Sequence, residues 1–110
     1  PYHLSALTQA AALGALRHSD TMLAMVDDIV LQRDRMGATL SALGYEPYES
    51  WTNFILFGGV ADPAATWRAL FERGVLVRDV GLPGTLRVSA GTEDETTAFL
   101  DLLASIDSQA

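Results

Sequence analysis

The chain has 110 residues, of which 49% are hydrophobic, so it is long enough for one domain with a sizeable core. Its net charge of −7 argues against a nucleic-acid partner, and the absence of cysteine excludes disulfides, thiolate nucleophiles and cysteine metal sites. No apolar run approaches the roughly 20 residues that a membrane-spanning helix requires, and no basic and apolar leader is present, so we expect a cytoplasmic protein without a membrane partner. Because the chain begins at Pro1, we expect a fragment or a processed piece.

The first half of the chain predicts two helices. Residues 4–17 are rich in alanine and leucine, and Ser19 has the position of an N-cap for a longer helix with Asp20 in its first turn. Gly44 is placed to end that helix. Apolar residues recur along it at three- and four-residue steps and predict a buried stripe: Leu23, Val26, Val30, Met36, Leu40 and Leu43. Its three methionines are interpreted as core residues: Met22, Met25 and Met36.

The middle of the chain predicts two strands and a third helix. The first strand covers 45–49, and the compact apolar run 53–57, closed by two glycines, is typical of a buried strand. Asp62 then has the position of an N-cap with Pro63 at the first helical position, and Gly74 ends the helix.

The last part of the chain predicts two strands and a final helix. The strands cover 75–79 and 85–90, on either side of a turn rich in glycine. Thr92 and Glu95 have the spacing of a capping box, which opens a helix to about Ile106.

We expect the tail from Asp107 to Ala110 to be frayed. The resulting order, α-α-β-β-α-β-β-α, predicts an α/β (α+β) sandwich in which the helices pack on a small, mixed or antiparallel, four-stranded sheet.

The cations of the chain carry the clearest chemical signal. All seven are arginines and there is no lysine, so the chain offers planar guanidinium groups for carboxylate or phosphate but no amine for a Schiff base. Arg78 and Arg87 each interrupt an apolar strand, and alternation places each on one sheet face near a strand end. If the two strands are close in space, the two side chains converge on an anion site. The alternative is that both reach solvent, with Arg78 paired to a nearby acid.

Other candidate sites are weaker. Asn53 opens a strand and could orient a ligand or Arg87, although a backbone hydrogen bond at the strand edge explains it better. His3 and His18 are the only histidines, and their separation does not predict a metal site. No nucleophile elbow, P-loop or dinucleotide-binding motif is present.

Four blocks of sequence resemble a known family. In order and spacing, the stretches PYHLSALTQAAALGAL, TNFILF, GVLVRDV and LRVSAGTEDE are similar to the C-terminal part of the histidinol-phosphate aminotransferases, a fold-type I family among the class I/II aminotransferases. The resemblance covers about 1–107. It implies the small domain of such an enzyme over 19–110, with 1–18 as the connecting helix from a large domain that this chain lacks.

The resemblance also implies roles for the two arginines. Arg87 matches the residue that grips the α-carboxylate of the amino-acid partner, and Arg78 matches the one that contacts the distal anion, a phosphate or a side-chain carboxylate. The implied substrates are histidinol phosphate, glutamate and 2-oxoglutarate, in histidine biosynthesis. The implied protein is a homodimer that uses pyridoxal 5′-phosphate.

The missing lysine departs from that pattern, because the family attaches its cofactor to a lysine. We therefore expect no catalytic or cofactor-binding residue, and no bound cofactor, in these 110 residues. The alternative function is a stand-alone, non-catalytic α/β binding or dimerisation module. A regulatory domain that binds small ligands has a similar element order, but no motif favours it.

Overall fold

Four helices and three short strands make up residues 2–107, the part of the chain that the computed structural model describes. In chain order they are α1 (Ala6–Leu16), α2 (Ser19–Ala42), β1 (Glu46–Pro47), β2 (Phe54–Gly58), α3 (Pro63–Phe71), β3 (Leu86–Ser89) and α4 (Glu93–Asp107). The strands pair antiparallel in the order β1-β2-β3. The predicted fold class is confirmed. Of the tail predicted to be frayed, Asp107–Ala110, the first residue is the last of α4, and the others lie outside the described residues. No helix within the described part is long and apolar enough to cross a membrane.

The sheet has three strands instead of the four predicted, because 75–79 does not form a strand. This segment joins β3 through a single bridge, between Arg78 and Arg87. Its other backbone groups have different partners: the Val75 N–H donates to the carbonyl of Leu70, and the Val77 carbonyl accepts from the Trp67 indole. These bonds tie the segment to α3 on the side away from β3, and among the described residues only the Arg78–Arg87 pair joins it to β3. The other three strands lie within the predicted ranges or shift by one residue at an end.

The core lies on one face of the sheet. Ile55 and Phe57 of β2 pair with Val88 and Leu86 of β3, and all four side chains are buried. Helices α2, α3 and α4 contribute further residues of the same core: Met36, Leu40, Leu70, Phe99, Leu100 and Leu103. The alternate residues of the same strands face the other side of the sheet, where Phe54, Leu56 and Arg87 are half-buried and Ser89 is exposed.

Local signals in the sequence correctly predicted most helix ends. The Asp62 carboxylate accepts from the Ala65 N–H at 3.0 Å, which caps α3 as expected. The capping box of α4 is also confirmed, because the Thr92 N–H donates to Glu95 Oε2 at 2.8 Å and the Glu95 N–H to Thr92 Oγ1 at 3.3 Å. Gly44 follows α2 with a positive φ of 91°, a conformation that suits glycine.

The start of α2 differs from the prediction. Ser19 is the first helical residue rather than the N-cap, which is His18 and makes no side-chain capping bond. Only two residues separate α1 from α2, and the His18 N–H still donates to the Ala15 carbonyl of α1. The short connection therefore leaves no room for an extended capping residue before Ser19.

The N-terminal part of the predicted stripe on α2 is exposed. Met36 and Leu40 are buried, but Leu23 is 60% exposed. Val26, Val30, Met22 and Met25 are exposed as well, so their assignment to the core is wrong for this chain. The physical reason is that the core extends only to the C-terminal half of α2, where all three of its buried residues lie: Gln32, Met36 and Leu40.

Helix α1 has no buried residue and extends the molecule. The radius of gyration is 17.4 Å, compared with about 13 Å for a compact domain of roughly 100 residues. Exposed apolar side chains thus occur along α1 and the first half of α2.

Candidate functional site

Arg78 and Arg87 lie directly opposite each other. Each donates its backbone N–H to the carbonyl of the other, and both N···O distances are 2.8 Å. In an antiparallel pair of this kind the two Cα atoms are about 5.5 Å apart and the side chains leave the same face of the sheet. The structure therefore brings together the two arginines that the sequence singled out.

The arginine pair stands on the sheet face opposite the core. Leu56 lies opposite Arg87 on β2, and Phe54 lies opposite Ser89, so these side chains share the face with the arginines. Arg87, Phe54 and Leu56 are half-buried, whereas Arg78 is exposed. We call this surface, formed by Phe54, Leu56, Arg78, Arg87 and Ser89, the arginine face.

The two guanidinium groups have no acidic partner among the described residues. The ion pair found there joins Arg33 to Asp34, and neither Arg78 nor Arg87 makes a side-chain hydrogen bond within residues 2–107. Asp79, the acid nearest in sequence, accepts from the Gly81 N–H at 2.8 Å in a turn. Arg78 is exposed, as the alternative reading expected, but the acid partner that this reading gave it is not found among the described residues. Both cations are therefore available to an anion.

An aromatic ring contacts Arg87. Its Cζ atom lies 4.7 Å from the centre of the Phe54 ring, within the range of a cation–π interaction. Sequence analysis missed this contact. The signal was the alternation in NFILF, which sets Phe54 and Leu56 on the face opposite Ile55 and Phe57, but only the strand register shows which arginine the ring meets.

Asn53 lies just before β2 and is exposed. Its carbonyl accepts from the Ala90 N–H at 2.8 Å, so the backbone hydrogen bond expected at the strand edge is present. This bond explains the position of the residue without a ligand.

The segment that carries Arg78 is anchored from α3. Trp67 donates its indole N–H to the Val77 carbonyl at 3.0 Å and stacks on Phe71, with ring centres 5.0 Å apart. The bridge to Arg87 holds the other side of the segment. These contacts position the Arg78 backbone although no strand forms there.

The chemistry of the arginine face is anion binding. Guanidinium groups match the planar, bidentate geometry of carboxylate and phosphate, and two of them balance the charge of a phosphate dianion. No group of histidines and acids within the described residues could hold a metal ion.

Comparisons with known proteins agree with the predicted resemblance. A family model, Aminotransferase class I and II, matches residues 1–103. The curated histidinol-phosphate aminotransferase of Paenarthrobacter aurescens (strain TC1) is 54% identical over 106 residues, which cover 96% of this chain and 28% of that protein. The chain therefore spans less than a third of the length of this relative.

Solved structures share the fold. A protein from Burkholderia pseudomallei K96243 assigned as an aminotransferase matches with a TM-score of 0.88 and 31% identity, over 96% of this chain and 34% of that one. The histidinol-phosphate aminotransferase of Sinorhizobium meliloti, solved with pyridoxal-5′-phosphate, matches with a TM-score of 0.66 and 28% identity, over 92% of this chain and 30% of that one. The chain belongs to the class I and II aminotransferase family.

Proposed function

We propose that the full-length protein containing this chain is a pyridoxal-phosphate-dependent aminotransferase that transfers an amino group between L-histidinol phosphate and 2-oxoglutarate. This chain supplies the arginines that anchor the substrates. The observation that carries the proposal is the Arg78–Arg87 pair, two cations joined through their backbones on one sheet face without an acidic partner among the described residues. The 54% identity to a curated histidinol-phosphate aminotransferase supports the choice of substrate.

The pair suits a site that must accept two kinds of anion in turn. A carboxylate carries one negative charge, and one guanidinium binds it through two parallel hydrogen bonds. A phosphate monoester carries up to two negative charges and three acceptor oxygens, which can engage both arginines. We assign Arg87 to the α-carboxylate of the amino-acid partner and Arg78 to the phosphate or the distal carboxylate, with Asn53 as a minor contact.

The residues of this chain do not fit the covalent attachment of pyridoxal phosphate. The chain contains no lysine, and a guanidinium cannot replace an amine in a Schiff base. When bound, the cofactor supplies the electron sink for amino transfer. Its attachment must therefore come from the rest of the protein, and the role of this chain is to bind and orient the substrate anions.

The exposed helical surface supports a division of the chain. We propose that residues 1–18 connect to a large cofactor-binding domain and that 19–110 form the small domain. The apolar side chains along α1 and the first half of α2 are exposed here, which is the expected consequence when the domain that covers them belongs to another part of the polypeptide. The proposal includes a cytoplasmic homodimer, as the resemblance implies.

The test is an activity measurement on the full-length protein loaded with pyridoxal phosphate. Glutamate formation from 2-oxoglutarate is followed with L-histidinol phosphate and, in parallel, with histidinol, which lacks the phosphate. We expect kcat/KM to be at least tenfold higher for the phosphate ester, because only that substrate engages both arginines. Equal activity with both amines would remove the assigned role of the pair in phosphate binding.

A further inference from the structure

The two arginines are held unequally. The Arg87 side chain is half-buried and its guanidinium contacts the Phe54 ring, whereas the Arg78 side chain is exposed and contacts no ring or acid among the described residues. We propose that Phe54 is a positioning residue whose ring fixes the plane of the Arg87 guanidinium. The Arg87 guanidinium is then already oriented before the anion binds, whereas the exposed Arg78 side chain can adjust to the anion. This inference rests on the proposed anion-binding function of the pair.

The geometry of a guanidinium explains the effect of the ring. All five N–H bonds of the group lie in its plane, so the plane determines where it can bind a bidentate acceptor. Arg87 Cζ lies over the Phe54 ring, 4.7 Å from its centre, so the ring occupies one side of the guanidinium, and it has no nitrogen or oxygen atom to accept a hydrogen bond from the group. The N–H groups therefore remain available to a substrate, while rotation of the long side chain is restricted. A preset donor loses less conformational entropy when the anion binds.

Phe54 is itself rigidly anchored. Its carbonyl accepts from Ser50 Oγ at 2.5 Å and from Thr52 Oγ1 at 3.3 Å. The Thr52 carbonyl in turn accepts from Arg33 Nη1 at 3.1 Å, and Arg33 belongs to α2. The connection between β1 and β2 is thus tied to the long helix α2, and the same hydrogen bonds hold the backbone that carries the Phe54 side chain.

The unequal support of the two arginines matches a site with two substrates. Both substrates carry an anion, a phosphate or a carboxylate, and a fixed donor suits the position at which either one binds, whereas a movable donor can adjust to the difference between them. Phe54 makes Arg87 the fixed donor. The effect of removing the ring should therefore appear with every substrate that Arg87 anchors, whether the anion is a phosphate or a carboxylate.

The experiment compares Phe54→Leu with Phe54→Tyr in the full-length, cofactor-loaded protein. Leucine removes the ring and keeps an apolar side chain, whereas tyrosine keeps the ring. We expect Phe54→Leu to raise KM for both L-histidinol phosphate and glutamate about three- to thirtyfold, with kcat changed less than twofold. Phe54→Tyr should stay within twofold of the wild-type KM. If the leucine variant does not fold, Phe54→Met gives a second side chain without a ring.

A double substitution distinguishes positioning from packing. If the ring acts through Arg87, adding Phe54→Leu to Arg87→Ala should change KM by less than twofold. A raised KM in Arg87→Ala together with an unchanged KM in Phe54→Leu would overturn this inference and leave the anion site standing. Equal defects in the leucine and tyrosine variants would also overturn it. If Arg87→Ala itself leaves KM unchanged, the proposed site fails, and that outcome is distinct from failure of the Phe54 role.

Discussion

Arg78 and Arg87 are joined by two backbone hydrogen bonds of 2.8 Å, so two like charges stand directly opposite each other on one sheet face. Such a pair is unfavourable for folding, because like charges at facing positions of an antiparallel pair repel. Neither cation has an acidic partner among the described residues that would offset the repulsion. The arrangement is consistent with a site whose charge is balanced by a bound anion.

Replacing Arg78 should therefore improve stability and weaken anion binding. We expect Arg78→Thr to raise the free energy of unfolding by about 0.2–1 kcal/mol in phosphate-free buffer, because it removes the repulsion and threonine suits an extended backbone. Inorganic phosphate should raise the melting temperature of the wild-type protein and have less effect on the variant, since a ligand that binds only the folded state stabilises it. Thermal unfolding of the full-length protein with and without phosphate measures both effects. A phosphate response that is the same in both proteins would contradict this prediction.

Replacing each arginine by alanine should affect the two substrates differently. Arg87→Ala should lower kcat/KM about 10- to 150-fold for both L-histidinol phosphate and glutamate, which corresponds to a lost charge-assisted hydrogen bond of about 1.5–3 kcal/mol. Arg78→Ala should affect the phosphate ester more than glutamate. Steady-state kinetics of the full-length protein provide the measurement. Arg73, an exposed arginine away from the arginine face, is the matched control, and Arg73→Ala should stay within twofold of wild type.

The Trp67–Val77 hydrogen bond of 3.0 Å should matter for Arg78, because it anchors the preceding residue. Trp67→Phe keeps an aromatic ring but leaves the Val77 carbonyl without this donor, which should cost about 1–2 kcal/mol of stability. KM for L-histidinol phosphate should rise a few-fold, with a smaller change for glutamate. Urea unfolding and kinetics of the same variant check the two parts. Lower stability with no change in either KM would limit Trp67 to a structural role.

The capping box of α4 makes a local prediction about Gly91. A Cβ atom at this position would collide with the carboxylate of Glu95, which is the acceptor for the Thr92 N–H. Gly91→Ala should displace that carboxylate and destabilise the start of α4 by about 0.5–2 kcal/mol, similar to Thr92→Ala. Hydrogen exchange at the first turn of α4 measures the effect. Both variants disrupt the same capping box, so the double variant should lose little more stability than either single variant. Additive losses of stability would show that the two substitutions act independently.

Signals that depend on neighbouring residues were predictable from the sequence. Asp62 and Pro63 at the start of α3 are examples, because a cap and its helix lie within one turn of each other. The difference at 75–79 is non-local, since pairing with β3 is limited to the Arg78–Arg87 bridge and the segment bonds instead to Leu70 and Trp67 of α3. Periodicity identified the apolar residues of α2, but it could not show that Leu23 and its apolar neighbours are exposed among residues 2–107.

The candidate site shows the same difference between local signals, which can be predicted from sequence, and long-range contacts, which cannot. Alternation placed Arg78 and Arg87 on sheet faces, and composition showed that no lysine accompanies them. The register that sets them opposite each other, and the contact of Phe54 with Arg87, depend on pairing between strands that are distant in sequence. From the sequence alone, the convergence of the two arginines could be predicted only on the condition that their two segments lie close together.

The exposed helical surface predicts how the isolated chain behaves. Six leucines on α1, on α2 and before α1 are at least 59% exposed: Leu4, Leu7, Leu13, Leu16, Leu23 and Leu31. Exposed apolar side chains in this number bind hydrophobic dyes and promote association. We therefore expect the 110-residue chain, expressed alone, to bind the dye ANS and to elute in size-exclusion chromatography ahead of a monomer. The full-length protein should bind little ANS if the proposed large domain covers these side chains. A monodisperse, ANS-negative monomer would instead favour a stand-alone module, and Leu23→Ser, which should lower dye binding by the isolated chain, provides the control.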